Sequence, residues 1–302
     1  MRGTRLSGTF TPSPQASQLS TAPHFNASST PLTARLSSST GLPTLPDTDP
    51  NGNPRALALR FHYHPSNPHK HTDIIAHSTP YFPSRTGENL LAFFQALIAS
   101  ADSRAGKPSA INKFLGENPA AMAFVQASKP TPSSLGKEAF YSVSAFVLKS
   151  ASGKETNVRY RILPALGQDH LDADEVKAKA DDFLFAAIPH ELPITYKLVV
   201  QVAREGDQTD DATVRWPEDR EIMELGTVVL DKVVEDNQEE QRKIIFDPVP
   251  RVEGIEASAD PLFDVRATAY LISGRERRAA GGLSPKELRS EKAVEVAKEA
   301  PH

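Results

Sequence analysis

The sequence predicts an α+β domain built on a barrel or a strongly curved antiparallel sheet. Segments with strand-like patterns come in pairs joined by turn residues, and helical patterns lie around and after those pairs. The chain has 302 residues, of which 39% are hydrophobic, so it can bury a core and is not wholly disordered. The patterns do not distinguish a closed barrel from an open, curved sheet.

The first 46 residues contain no Asp or Glu and are rich in Ser, Thr and Pro. This composition is typical either of an arm wrapped on a partner surface or of an organelle transit peptide. Residues 9–12 and 32–36 already have extended patterns, so we expect an N-terminal arm over about residues 1–54. Such an arm is compatible with a homodimer. The default location is then the cytoplasm, with organelle targeting as the alternative.

From Arg55 onward, strand and helix patterns alternate along the chain. Alternating polar and apolar residues predict strands over 56–63, 72–76, 140–146, 156–163, 195–202 and 224–230. Apolar periodicity and capping residues predict helices over 88–100, within 111–127 (one or two), over 174–187 and over 259–278. Residues 279–302 are polar and charged without an apolar face, which predicts a flexible tail.

Composition excludes several classes of function. The net charge of −4 gives no basic excess, so we expect neither nucleic acid nor an anionic membrane as the main partner. The absence of Cys excludes disulfide scaffolds, thiolate metal sites and cysteine nucleophiles. No window approaches a run of about 18 apolar residues, so no membrane-spanning helix is expected.

The strongest chemical signal lies in the last predicted helix. Arg266 and Tyr270 are i,i+4 neighbours on one face, and Arg277 returns to a similar face about two turns later. A neighbouring guanidinium favours the phenolate form of a tyrosine, which is a hard anionic ligand suited to ferric iron. Ala267 and Ala269 would let a flat ligand approach the helix. The alternative is a surface tyrosine flanked by arginines on a solvated helix.

Several motifs in the same order resemble those of the catalase family. They are Arg266 to Tyr270 after the run 250–258, the strand 224–230, Trp216-Pro217, Thr79-Pro80-Tyr81-Phe82 and Arg35-Leu36-Ser37-Ser38. The resemblance covers about residues 8–278. It resembles in particular the short, catalase-related peroxidase branch, which has the haem barrel and lacks a C-terminal helical domain. The implied fold is a catalase-like antiparallel β-barrel with surrounding helices, over residues 1–278.

The resemblance also implies roles for individual residues around a haem b. Tyr270 would be the proximal iron ligand, and Arg266 would keep it as the phenolate. Arg277 and Arg35 would pair with the haem propionates, because a guanidinium fits a carboxylate well. Phe82 would pack near the porphyrin on the distal side.

The family's catalytic distal histidine would lie before Met1 in this pattern. Either the chain is a fragment or has a misplaced start, or the protein has lost peroxidatic efficiency. Ser78 takes the place of the distal asparagine of full catalases, and His77 stands beside it. Neighbouring strand residues point to opposite faces, so only one of the two can face the haem. His77 is either a substitute acid–base group or a hydrogen-bonded structural histidine of the barrel.

Two other clusters are weaker candidates. The histidines at 62, 64, 69 and 71 could form a zinc or copper site, but Pro and Lys interrupt them and a solvated hairpin fits better. The acidic run 235–240 is interpreted as a solvated helix start.

The expected function is therefore a haem peroxidase. It would reduce hydrogen peroxide or organic hydroperoxides with an unidentified organic electron donor and show weaker catalase activity. Arg266, Ser78 and His77 are the candidate catalytic residues. The alternatives are a haem-binding or haem-free protein without peroxidase activity, and a catalase-like enzyme that transforms fatty-acid hydroperoxides.

Overall fold

The computed structural model describes residues 3–38, 45–64, 66–67, 69–101, 109–235 and 237–279. The strands are β1 Gly3–Pro12, β2 Thr30–Ser38, β3 Arg55–Phe61, β4 Thr72–His77, β5 Phe140–Tyr141, β6 Phe146–Lys149, β7 Glu155–Pro164, β8 Ile194–Val202, β9 Ile222–Val233 and β10 Ile255–Ala257. The helices are α1 Ala16–Leu19, α2 Pro23–Asn26, α3 Gly87–Ala101, α4 Ala110–Glu117, α5 Pro119–Gln126, α6 Ala173–Lys177, α7 Phe183–Glu191, α8 Asn237–Lys243 and α9 Leu262–Ala279.

Eight of the strands close into an antiparallel barrel, in the order β7-β5-β4-β3-β2-β1-β9-β8, with β8 pairing back onto β7. The two remaining strands, β6 and β10, extend the sheet from the side of β7. Closure removes the exposed edges that an open sheet would leave. Of the two architectures that the sequence left open, the structure has the closed barrel with surrounding helices. The expected absence of a C-terminal helical domain concerns residues after 279, which lie outside the described residues.

Side chains alternate between the inside and the outside of the barrel. Alternate residues of every long strand, such as Ala34 and Leu36 on β2, form one apolar core. The residues between them face outward, where α8 and α9 cover part of the surface. β2 is therefore buried on both faces, with all but Pro31 and Arg35 buried.

The segment 1–54, expected as an arm, contributes two neighbouring barrel strands, β1 and β2. Both faces of β2 are covered, and charged side chains are costly to bury. This explains why this strand contains few charged residues. The segment expected as a tail lies outside the described residues from 280 onward, while Ala279 ends α9. None of the described helices is long and apolar enough to cross a membrane.

Three predicted elements differ from the structure. The predicted strand 140–146 is divided into β5 and β6, because the backbone N–H and hydroxyl of Ser142 between them both bond the backbone of Tyr160. The predicted helix 174–187 is divided into α6 and α7, and the carboxylate of Asp47 accepts the N–H of Leu184 in the first turn of α7. The last helix begins at Leu262, because Asp260 accepts its N–H at 2.9 Å and ends the preceding extended segment.

Candidate functional site

The candidate site lies between the outer face of β1–β4 and the helices α8 and α9. Strand register aligns Arg5, Arg35, Ala58 and Ile75 in one row across these four strands. The next row contains Gly3, Ser37, Ala56 and His77. Several members of these rows, such as Ala56 and Ala58, have small side chains. The other members include the imidazole of His77 and the guanidiniums of Arg5 and Arg35.

Tyr270 of α9 packs against a small apolar cluster on this surface, formed by Ala58, Ile75, Ile244 and Phe246. A cavity of about 170 Å³ opens beside its ring. The aromatic ring of Phe246, the side chain of Leu271 and the small residue Ala267 line the cavity with Tyr270, and Arg251 lies among its polar lining residues. The half-buried Tyr270 therefore faces the barrel, while its neighbours Leu271 and Ile272 are exposed.

An ion pair on the hairpin β3–β4 binds the segment 245–247, which lines this cavity. Arg60 donates two hydrogen bonds to Asp73, at 2.8 and 2.7 Å, and lies over the ring of Phe246 at 5.1 Å. Asp73 also accepts the backbone N–H of Asp247 at 2.8 Å, and Arg60 bonds the carbonyl of Ile245. The sequence contains both charges, but nothing in it shows that they bind the segment before β10.

Two guanidiniums lie near the phenol of Tyr270. Burial and the nearby Arg277 lower the pKa of Arg35 to about 10, and the charge of Tyr270 opposes that shift. Burial and the neighbouring Arg278 lower the pKa of Arg277, and Tyr270 again opposes the shift. A negative charge on Tyr270 would therefore stabilise both arginines.

Arg277 also joins the two helices of the site. Its Nη2 donates to the carbonyl of Ile244 after α8 at 3.0 Å, while its buried Nε has no hydrogen-bond partner. The buried Nη2 of Arg266 likewise has none. Buried donors without a partner are costly, and two on the helix that carries Tyr270 fit an acidic group bound beside it.

His77 and Ser78 have different surroundings, as strand alternation predicts. His77 lies on the outer face with Ile75, and its ring centroid is 6.3 Å from that of Phe82. Burial and the guanidinium of Arg266 lower the pKa of His77 to about 3. Ser78 instead accepts the backbone N–H of Arg55 at 2.9 Å. Of the two residues, His77 shares the layer of Tyr270 and Arg266.

Phe82 belongs to a second apolar cluster, with Val143, Ala212 and Leu262, at the start of α9. Its backbone N–H donates to the carbonyl of Ala212 at 2.9 Å, which fixes the turn after β4. The structure therefore brings His77, Phe82 and Arg266 together at one end of the site, and Tyr270, Arg35 and Arg277 at the other.

Sequence reasoning missed the part played by α8. Its acidic start was interpreted as solvated, yet Glu240 pairs with Arg5, and Asn237 exchanges two hydrogen bonds with the backbone of Arg5. Gln241 bonds Arg35. The sequence shows the amide side chains of Asn237 and Gln241 within a charged segment. This pattern does not indicate on which surface the helix docks.

The histidine hairpin shows no metal-binding group of three ligands among the described residues. His62 bonds the hydroxyl of Thr33 at 2.9 Å, and Asp73 is occupied by Arg60. These contacts agree with a structural hairpin.

Comparisons with known proteins identify the family. The catalase family model matches residues 1–286. A catalase-related peroxidase of Synechococcus elongatus is 28% identical over 286 residues, which cover 92% of this chain and 82% of that protein. A catalase-related peroxidase of Mycolicibacterium paratuberculosis is 27% identical and is matched over 87% of its length.

Solved structures agree at the level of the fold. A fungal catalase superimposes with a TM-score of 0.79 at 21% identity, and catalase A from Saccharomyces cerevisiae with 0.77 at 21%. The matches cover 95% of this chain but only 60% and 61% of those chains. The chain thus spans about three fifths of the catalases it superimposes on, and most of the length of the catalase-related peroxidases. With the family model matching nearly all of its residues, this chain belongs to the catalase family, in its short, catalase-related peroxidase branch.

Proposed function

We propose that this protein is a haem b peroxidase that reduces hydrogen peroxide or organic hydroperoxides with an organic electron donor, and has weaker catalase activity. The observation that carries the proposal is the position of Tyr270, which faces the barrel beside a cavity and close to the guanidiniums of Arg35 and Arg277. The names of the catalase-related peroxidases support the same oxidoreductase class.

The residues around Tyr270 fit a haem. The phenolate oxygen of Tyr270 would bind the iron, which when bound supplies the redox chemistry of peroxide reduction. Arg35 and Arg277 would hold the carboxylates, and the partnerless Nε of Arg277 has a donor to spare for one. The side chains of Ala56, Ala58 and Ala267 are small and would offer little steric hindrance to a flat ring.

His77 would act as the proton acceptor on the barrel side. Burial and the guanidinium of Arg266 lower its pKa to about 3, so the imidazole is neutral at ordinary pH and would accept a proton from a peroxide as a weak base. Arg266 disfavours the protonated form, so an accepted proton would be passed on readily. Phe82 packs near this imidazole and helps to exclude water from it.

We further propose that residues 1–278 form one haem-binding domain. The elements that build the candidate site run from β1 to α9, which ends at Ala279, one residue beyond this range.

The test is turnover by the full chain after reconstitution with hemin. We expect consumption of hydrogen peroxide coupled to oxidation of a phenolic donor, and slower release of oxygen without the donor. An epoxide product from a fatty-acid hydroperoxide would support the rearrangement reaction instead. Bound hemin without any turnover would leave the non-peroxidatic alternative and contradict the proposal.

A further inference from the structure

We infer that Gln241 of α8 is a positioning residue that constrains the orientation of the Arg35 guanidinium on the outer face of the barrel. This inference rests on the proposed function, because Arg35 matters there as a contact for a haem carboxylate. No motif in the sequence drew attention to Gln241, and its role follows from three contacts of one side-chain amide.

The two ends of the Gln241 amide hold different parts of the barrel surface. The carbonyl oxygen accepts Nε of Arg35 at 3.2 Å. The amide nitrogen donates to the backbone carbonyl of Gly3 at 2.7 Å and also to the side chain of Asn237. Gly3 and Arg35 lie on the neighbouring strands β1 and β2, so a single side chain fastens α8 across both.

The contact at Nε constrains the orientation of the rest of the arginine. A guanidinium is planar, so an acceptor on Nε fixes its rotation and hence the direction of the terminal nitrogens. The same helix fixes the second arginine, because Arg277 donates to the carbonyl of Ile244 immediately after α8. α8 and the residue directly after it therefore contact both guanidiniums, those of Arg35 and Arg277.

A neutral amide is the suitable residue for this contact. Glutamate could accept the same Nε–H, but its charge would neutralise the guanidinium and compete with a bound carboxylate. It would also face the carbonyl of Gly3 with an acceptor and lose that hydrogen bond. Alanine would remove all three contacts of the amide, and with them the acceptor on Nε of Arg35.

The experiment compares the affinity of the full chain for hemin and for hemin dimethyl ester, which lacks the carboxylates. The variants are Gln241→Ala, Arg35→Ala and the double variant, and Glu240→Ala, which breaks the pair with Arg5, is the matched control for loosened docking of α8. A hydrogen bond to a charged group is worth enough to predict about tenfold weaker hemin binding by Gln241→Ala. We expect little change for the ester, and no further loss when Gln241→Ala is added to Arg35→Ala.

Two results would overturn the inference. One is an equal loss of hemin affinity from Gln241→Ala with Arg35 already absent. The other is an equal loss from Glu240→Ala, which would mean that only the docking of α8 matters.

A second readout needs no haem. The Nε–H resonance of Arg35, assigned through Arg35→Lys, should be sharp and slow to exchange in the unmodified chain and be broadened by Gln241→Ala. If the chain bound no hemin, the proposed function would fail, while this resonance would still decide the role of Gln241. A resonance unchanged by Gln241→Ala would refute it.

Discussion

The guanidinium of Arg266 on α9 lies close enough to the imidazole of His77 on β4 to lower its pKa, in addition to the larger effect of burial. The helix that carries Tyr270 thus also sets the protonation state of a histidine on the barrel. The two residues are far apart in the sequence. They come close in the fold because α9 packs on the outer face of β3 and β4.

Substituting His77 tests the proposed proton acceptor. We expect His77→Ala to reduce peroxide turnover by about a hundredfold or more, which is the usual contribution of a general acid–base group. Hemin affinity should change little, because His77 is proposed to accept a proton and not to hold the cofactor. The matched control is His64→Ala on the exposed hairpin, and a His77→Ala variant with unchanged turnover would remove His77 from the mechanism.

Ser78 should behave differently from its neighbour. Its hydroxyl accepts the backbone N–H of Arg55, so Ser78→Ala leaves a partly buried donor without that partner. We expect about 1–2 kcal/mol lower free energy of unfolding in urea, with turnover per folded molecule reduced far less than in His77→Ala. A turnover loss as large as that of His77→Ala would reverse the assignment of the two residues.

His24 predicts a pH dependence of stability. Its ring is buried among Phe10, Phe25 and Phe61, neither nitrogen has a hydrogen-bond partner, and burial lowers its pKa to about 3. In the unfolded chain it takes up a proton near its ordinary pKa of about 6.5. Between these values the unfolded state binds more protons, so stability falls as the pH falls.

The expected size of the His24 effect is about 2–3 kcal/mol between pH 7.5 and pH 4.5. His24→Phe should remove that contribution and flatten the pH profile of the urea midpoint, whereas His64→Phe at an exposed position should not. The pKa of His77 is lowered as well, so His77 also makes the free energy of unfolding fall as the pH falls. That contribution remains in His24→Phe. An unchanged profile in His24→Phe would contradict the account.

The ion pair of Asp47 and Arg55 predicts a large loss of stability. Both side chains are about 1% exposed, Arg55 also bonds Asn53, and Asp47 also accepts the N–H of Leu184. Asp47→Ala would leave a buried guanidinium without its carboxylate, at a cost of about 3–5 kcal/mol. Asp174→Ala breaks the exposed pair with Lys177 and should cost less than about 1 kcal/mol. Equal losses in urea unfolding would contradict this difference.

Much of the fold could be predicted from the sequence because alternation and capping are local signals. The hairpin of β3 and β4, the pairing of β6 with β7 and the helix that carries Tyr270 all follow from such signals. Closure of the barrel could not be predicted, because it depends on the long-range pairing of β7 with β8 and of β1 with β9. No local pattern records a register between residues so far apart.

The candidate site shows the same division. Arg266, Tyr270 and Arg277 lie on one helix, so their relation could be inferred from spacing. The sequence does not show which face of β4 is turned outward, and so does not show whether His77 or Ser78 faces α9. The strand register places His77 on the outer face with Ile75. The roles of Gln241 and Asn237 depend on where α8 docks, which neither charge nor periodicity indicates.

The central claim is that Tyr270 is the iron ligand of a haem site, and the visible spectrum of the hemin-loaded chain tests it most directly. The full chain, Tyr270→Phe and the control Tyr63→Phe, in the hairpin, would each be titrated with hemin. The account predicts a high-spin ferric, tyrosinate-type spectrum for the unmodified chain and for Tyr63→Phe, and its loss in Tyr270→Phe. Absence of hemin uptake, or a spectrum indifferent to Tyr270, would contradict the haem site and with it the proposed peroxidase function.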